Sequence, residues 1–377
     1  MGRGQRRLAF TIALVGGAAL AVGGWLGRDR ASTPVRSPMA SASGPSTTPD
    51  PPPAASVTPP ALSASSPPVV PIDEEARTLP EQRAALYRSM AAELDVTAEQ
   101  LAAVQVIIDA SPYLSQGNPA LSRHPMTRAE CRKIRAEAGL RDGEITSPCA
   151  RRNMAPVYDP GAGETAESAR VCVDRFEFPD IACAYPVVYV SARDAALLCA
   201  AVGKRICDAH EWEGACAGAL HAPEVEYAFG KPRPYATWLH NKAREVRWAH
   251  GPKKDNDRCA TTAQKSPTCP GGGWTLCGTN TFPAGAFPAC ASPFGVHDQH
   301  GNAAEHMNLP LSPEEMASRG GAGQTEMKGS WFAFKAVLDP HEDDCRWRAK
   351  DWHPSKLMDV ESHWNYHLGF RCCASVP

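Results

Sequence analysis

Hydrophobic positions change their rhythm several times along the chain. Residues 8–26, LAFTIALVGGAALAVGGWL, are nineteen uncharged positions behind the basic head MGRGQRR. That run approaches the ~20 residues a helix needs to cross a bilayer, and its alanines and glycines are equally common in export signals. The arginines precede it, so positive-inside logic sends the C-terminal bulk across. Residues 1–28 are therefore expected to be a membrane anchor or a signal peptide. The rest would face the periplasm of a bacterial-type inner membrane, or be secreted if the signal is cleaved.

Large apolar residues then nearly vanish. Residues 34–71 hold twelve of the 35 prolines, among serines, threonines and alanines. Such a stretch cannot bury enough surface to offset its ordering entropy, so residues 29–72 are expected to form an extended, polyproline-like tether. At about 3.1 Å per residue it could hold a head up to ~120 Å from the bilayer.

Helical spacing begins at Leu79. Leu86, Met90 and Leu94 fall four apart, with Pro80 near the first helical position. The stretch TAEQLAAVQVII follows, with a Thr97 to Gln100 capping signature and Leu101, Val104 and Ile108 on one face. This predicts a short helical hairpin within a helical segment at 73–150. It cannot cover its own apolar faces, so it is expected to dock on the domain that follows, residues 151–377.

The segment YPVVYVSARDAALLCAAVGKRICDAHEWEGACAG, residues 185–218, changes rhythm twice more. An alternating run to Val190 reads as a strand. Ser191 with Asp194 marks a helix start, and Gly203 followed by Lys204 and Arg205 marks its end. Asp208 with Glu211 opens a second helix carrying Trp212 and Cys216.

Composition adds two points. With 39 basic against 41 acidic residues there is no footprint for nucleic acid. Fourteen cysteines, an even number and all beyond the tether, read in an exported chain as a disulfide framework of up to seven bridges. No Cys-x2-Cys pair supports structural zinc.

The segment FGVHDQHGNAAEH, residues 294–306, crowds three histidines and two carboxylates around a Gly-Asn turn. Three readings stand open for it: a calcium site, a metal-free turn, and a histidine-bound transition metal. Oxygen ligands from a turn suit a hard cation, whereas His297, His300 and His306 would suit zinc, copper or iron.

Several of these stretches together resemble the formylglycine-generating enzyme, or sulfatase-modifying factor, family. They are VSARDAALLCAAVGKRICDAHEWEGACAG, YAFG at 227–230, His240–Asn241, FGVHDQHGNAAEH, KGSW at 328–331 and the closing LGFRCC. The order is the family's, over residues 171–374. The resemblance implies an α+β, loop-rich, disulfide-rich fold related to C-type lectins, preceded here by the helical hairpin. It implies calcium at Asp298, the Gly301 and Ala303 carbonyls and Glu305. A second calcium site could begin at Asn241. It also implies disulfides Cys199–Cys372 and Cys216–Cys345; each closes a loop worth about 4 to 5 kcal/mol by chain entropy.

Other features depart from the family. Its oxidases hold Cu(I) with two cysteines shortly after Gly-Ser-Trp, and soft thiolates are what that ion selects. Here the first cysteine after Trp331 is Cys345, which the resemblance assigns to a disulfide. Copper chemistry is therefore not expected. The iron-binding helical motif of the sulfoxide synthases that share this fold is excluded, since His124 is the only histidine before residue 210. His341, Asp343, Asp344, Arg348, Asp351, His353, His363 and His367 form a late polar group, and Ser330, Trp331, Arg348 and His306 are a candidate pocket. The favoured reading is a diverged, non-catalytic module that binds an exported peptide, protein or envelope ligand. The alternative is a diverged metal-dependent oxidoreductase acting on exported proteins or secondary metabolites.

Overall fold

Two threonines start the first helices. Thr78 accepts from the backbone N–H of Glu81, and the Glu81 carboxylate returns to the Thr78 N–H, opening α1, Leu79–Glu93. Thr97 and Gln100 do the same for α2, Ala98–Ala110. The computed structural model describes residues 76–335, 342–349 and 355–376. The expected anchor and tether lie outside them, and no described helix is long and apolar enough to cross a membrane.

The hairpin does not stand apart. Leu86 and Met90 of α1 and Val104 and Ile108 of α2 share one buried cluster with Leu198, Ile206 and Phe370. Each such side chain contributes roughly 1.5–3 kcal/mol on leaving water. The helix α3, Arg128–Glu137, is tied to the rest through the Cys131–Cys183 bond.

Two small sheets follow. In the first, β1 (Met154–Val157), β2 (Val171–Asp174), β7 (Cys372–Ser375) and β3 (Arg205–Ile206) lie antiparallel in that order. In the second, β4 (Ala304–Leu309) sits between β5 (Gln324–Lys328), antiparallel, and β6 (Leu368–Gly369), parallel. Helices α4 (Ala192–Ala201) and α5 (Ala209–Ala217) flank β3, and α6 (Pro223–Glu226), α7 (Arg233–Ala243) and α8 (Pro313–Ala317) lie further along the chain. The chain is thus a mixed α+β, loop-rich fold.

All fourteen cysteines are bonded in seven disulfides. Cys199 bonds Cys372, and Cys216 bonds Cys345. The neighbouring Cys373 bonds Cys207, so the two adjacent cysteines of β7 reach α4 and the residue just after β3.

The strand expected up to Val190 is not one. Residues 185–190 are buried and irregular, with a single bridge from Val188 to Ser115. Pro186 has no N–H to give a ladder, and Tyr189 sits at φ 56° with its hydroxyl donating to the Cys277 carbonyl. Val187 and Tyr189 donate instead to Phe178 and Asn365 carbonyls in different loops.

Candidate functional site

The turn before β4 is held from below. Asn302, at φ 60°, donates from its side chain to Glu177 Oε2 at 2.6 Å, and the Ala303 N–H donates to Glu177 Oε1 at 2.8 Å. Gly301 has φ 93°, and a Cβ there would stand 2.7 Å from the Ala260 carbonyl oxygen. Only glycine fits that approach.

One turn on, Arg371 clamps Glu305 at 2.7 and 2.6 Å, and the Trp212 indole donates to the same carboxylate at 2.9 Å. Asp298 accepts from the Gly285 N–H through Oδ2 at 2.5 Å, while its buried Oδ1 has no hydrogen-bond partner. Of the three buried carboxyl groups, Glu177, Asp298 and Glu305, only Glu305 is bonded to the Arg371 guanidinium. Burial, and then the charges of Asp298 and Glu305, push Glu177 well above the usual carboxylate range. Burial also raises Asp298 to about 6, against the opposing pull of the Gly285 N–H and Arg371.

This donor set fits a hard cation at Asp298, which offers an unused oxygen close to two further buried carboxyl groups. Glu305 is mostly committed to Arg371 and Trp212, with three hydrogen bonds on a group that can accept about four. A cation here would be held by oxygens alone, because the three histidines part company. His297 stacks on Phe176, with ring centroids 5.4 Å apart, and burial lowers it to about 3. The His306 ring lies 3.0 Å from the Val190 carbonyl.

His300 enters a second centre. Its Nδ1 lies 3.1 Å from Ser330 Oγ and 3.1 Å from Asp343 Oδ2, and its Nε2 lies 3.0 Å from Asn256 Oδ1. Asp343 also receives the Trp248 indole and Lys254. Burial raises Asp343, but His300 and Lys254 outweigh it and hold the group at about 2. Serine, histidine and aspartate are together, yet not as a nucleophilic relay. In a relay the acid and the serine occupy opposite ring nitrogens. Here both face Nδ1, and the fully buried Ser330 hydroxyl already accepts from the Gly301 N–H.

The third centre joins α5, α6 and α7. Glu213, Glu226 and His240 bring ligand-type atoms within 4.8 Å of one another. Around them stand Lys328, 2.9 Å from Glu213; Arg348, forked onto Glu213 at 2.8 Å; and Arg346, 2.5 Å from Glu226. Burial would raise Glu213, but Arg348 and Lys328 overcome it and hold the group far below its usual range. Two carboxylates against three permanent cations leave no charge deficit for a metal.

The late polar residues are divided among these surroundings. Asp343 faces His300, Asp344 pairs with Arg244 at 2.8 Å, and Arg348 serves Glu213. His367 packs on Trp331, with centroids 4.9 Å apart. His341, Asp351 and His353 lie outside the described residues. Ser330, Trp331, Arg348 and His306 are all buried, each against different partners. Glu177, Glu226 and Asn256 were not singled out in the sequence, and no local pattern marks them.

An open cleft of about 760 Å³ lies elsewhere, between the β1–β2 connection and the chain leading into α6. His210 is on its floor. The Tyr227 hydroxyl accepts from the His210 backbone N–H and lies 3.0 Å from His210 Nδ1. Val157, Val171 and Leu220 supply apolar wall, and Arg170, Arg319 and Glu224 supply charge.

No curated protein matches the sequence. Among solved structures, PvdO from Pseudomonas aeruginosa aligns at 16% identity over 59% of this chain and 90% of its own, with a TM-score of 0.31. CarF aligns at 14% identity over 63% of this chain and 96% of its own, with a TM-score of 0.29. Residues 76–376 match the sulfatase-modifying factor enzyme 1-like domain, so the chain belongs to that family.

Proposed function

We propose that this is a membrane-tethered, extracytoplasmic sulfatase-modifying-factor-like protein that binds an exported peptide, protein or envelope ligand without thiol chemistry. One observation carries the reading: every one of the fourteen cysteines is in a disulfide. A Cu(I) oxidase needs two thiolates, and the first cysteine after Ser330, Cys345, is bonded to Cys216. The histidine, carboxylate and serine clusters supply no thiolate in its place, and Ser330, His300 and Asp343 are buried against one another. The ligand surface on this reading is the cleft beside His210, whose volume lies within the ~300–1,000 Å³ typical of ligand sites. Calcium, held at Asp298 with the Gly301 and Ala303 carbonyls and Glu305, is structural in this account.

The test is mass spectrometry of the exported chain, alkylated under native conditions without reduction, followed by copper titration. Seven intact bridges and no stoichiometric Cu(I) uptake are expected. Two labelled cysteines close in space, with one copper bound, would replace this reading by an oxidoreductase of exported proteins or secondary metabolites.

A further inference from the structure

Two neighbouring strands of the first sheet differ in length. β3 pairs only with Cys372 and Cys373, and Gly203, at φ 69°, makes the turn before it, whereas β7 continues to Ser375. The Cys149–Cys172 bond pins the loop at 148–151 to β2. Loop 148–151, the start of β3 and the end of β7 enclose a cavity of about 410 Å³, within the ~300–1,000 Å³ typical of small-ligand sites.

The charge of this cavity has one sign. Arg151, Lys204 and Arg205 line it, beside Pro148, Ala150 and Val376, and no described carboxylate does. The acids that pair with two of these cations are buried outside the lining: Asp174 and Asp180 hold Lys204, and Glu211 holds Arg205. Arg151 has no carboxylate partner among the described residues. One of its N–H groups donates to the Val202 carbonyl at 3.1 Å. A guanidinium carries five such donors, so most of them stay unspent. Lys204 donates to two carboxylates and keeps a third ammonium hydrogen.

We propose that this cavity binds a small phosphate monoester, its phosphate on Arg151 and Lys204 and its organic body against Pro148, Ala150 and Val376. A guanidinium pairs with phosphate through two parallel N–H bonds and loses little hydration in doing so. Phosphate presents oxygens on several sides and can meet donors from the loop and from the start of β3 together. A planar carboxylate, with two oxygens, matches that arrangement less well. The volume suits an ion with an attached body rather than the ion alone. The cavity shares no lining residue with the cleft beside His210, so the inference does not depend on the binding function proposed above.

The experiment titrates phenyl phosphate into the full chain, its seven disulfides intact, and follows the ligand by NMR. Benzoate and inorganic phosphate are the comparison probes. Phenyl phosphate should bind with a Kd of about 1 mM or below, benzoate should bind about tenfold more weakly, and inorganic phosphate should displace the ester. Arg151→Met removes the unpaired charge and should weaken binding at least about tenfold, the scale of a hydrogen bond to a charged group. Ala150→Asp is a second variant. Ala150 is exposed at φ 53°, a conformation aspartate accepts, so the new carboxylate should repel phosphate with the fold intact, as a melting curve checks. Binding unchanged by both substitutions would overturn the location. Loss on Arg170→Met instead would move the phosphate to the cleft beside His210 and overturn it equally. Benzoate binding as tightly as phenyl phosphate would overturn the choice of ligand. No binding at about 20 mM phenyl phosphate, or binding only to vesicles of phosphatidic acid, would overturn the proposal as a whole.

Discussion

Asp298→Asn tests the carboxylate centre through its charge. In the folded protein Asp298 is raised to about 6 by burial, with Glu305 adding to the shift and Gly285, Arg371 and Arg135 opposing it. The unfolded value is about 3.9. Because the folded value is the higher, the folded state keeps a proton that the unfolded state has released. Stability from this group is therefore complete below about pH 4 and is lost as pH rises to about 6. Two units correspond to about 3 kcal/mol. At about 2 °C per kcal/mol for a domain of this size, wild type in chelator should melt roughly 6 °C lower at pH 7.5 than the acid limit of this group allows. Asparagine can still accept from the Gly285 N–H but carries no charge. In chelator the variant should lose most of this slope and melt above wild type at pH 7.5. Millimolar calcium should reverse that order by stabilising wild type alone. Thermal melts between pH 4 and 8, with calcium or with chelator, read both effects. Parallel pH profiles for the two proteins in chelator would refute the electrostatic argument, and equal responses to calcium would remove the metal from Asp298.

Other substitutions probe neighbouring features. Glu305→Ala should cost about 3–5 kcal/mol even in chelator, because it strands the buried Arg371 guanidinium, and more in calcium, where a ligand is also lost; a loss seen only in calcium would contradict the pairing. Gly301→Ala should lower the melting temperature by several degrees, since its Cβ would meet the Ala260 carbonyl at 2.7 Å; an unchanged melt would show that the turn can shift. Replacing Cys216 and Cys345 together by serine opens a 129-residue loop and should cost about 5 kcal/mol by chain entropy, measured by chemical denaturation. Ser330→Ala should change stability by about 1 kcal/mol, the worth of its bond to the Gly301 N–H; loss of any ligand binding with the fold intact would give Ser330 a role beyond packing.

What the sequence discloses is mostly local. The capping pairs at Thr97, Ser191 and Asp208 need only three-residue spacing, and the helices begin where those pairs stand. The alternating run ending at Val190 misleads because a short buried apolar segment looks the same whether or not it joins a ladder. Tyr189 turns left-handed there, and the backbone spends its hydrogen bonds on separate loops. The charged centres were beyond local reading altogether. Glu177 meets Asn302 across 125 positions, and Glu213 meets Arg348 across 135. The histidines at 297, 300 and 306 shared a short sequence window, but the turn sends each to a different partner.

These long separations explain why so many charges are buried in a family domain with so little sheet. The described strands are two to six residues long, too short for backbone ladders alone to fix where distant loops cross. Each centre makes a junction instead: Arg371 fastens the start of β7 to β4 and to the loop at His297, and Arg348 fastens the chain beyond Cys345 to α5. Buried pairs of this kind add little net stability over apolar substitutes, but a misplaced loop would leave an unpaired charge in the interior and cost several kcal/mol. Such charges select one arrangement of loops. A residue given to that task has its polar atoms spent inside the protein. Recognition must then come from groups still turned outward, among them Arg170, Glu224 and Val225 around the cleft beside His210.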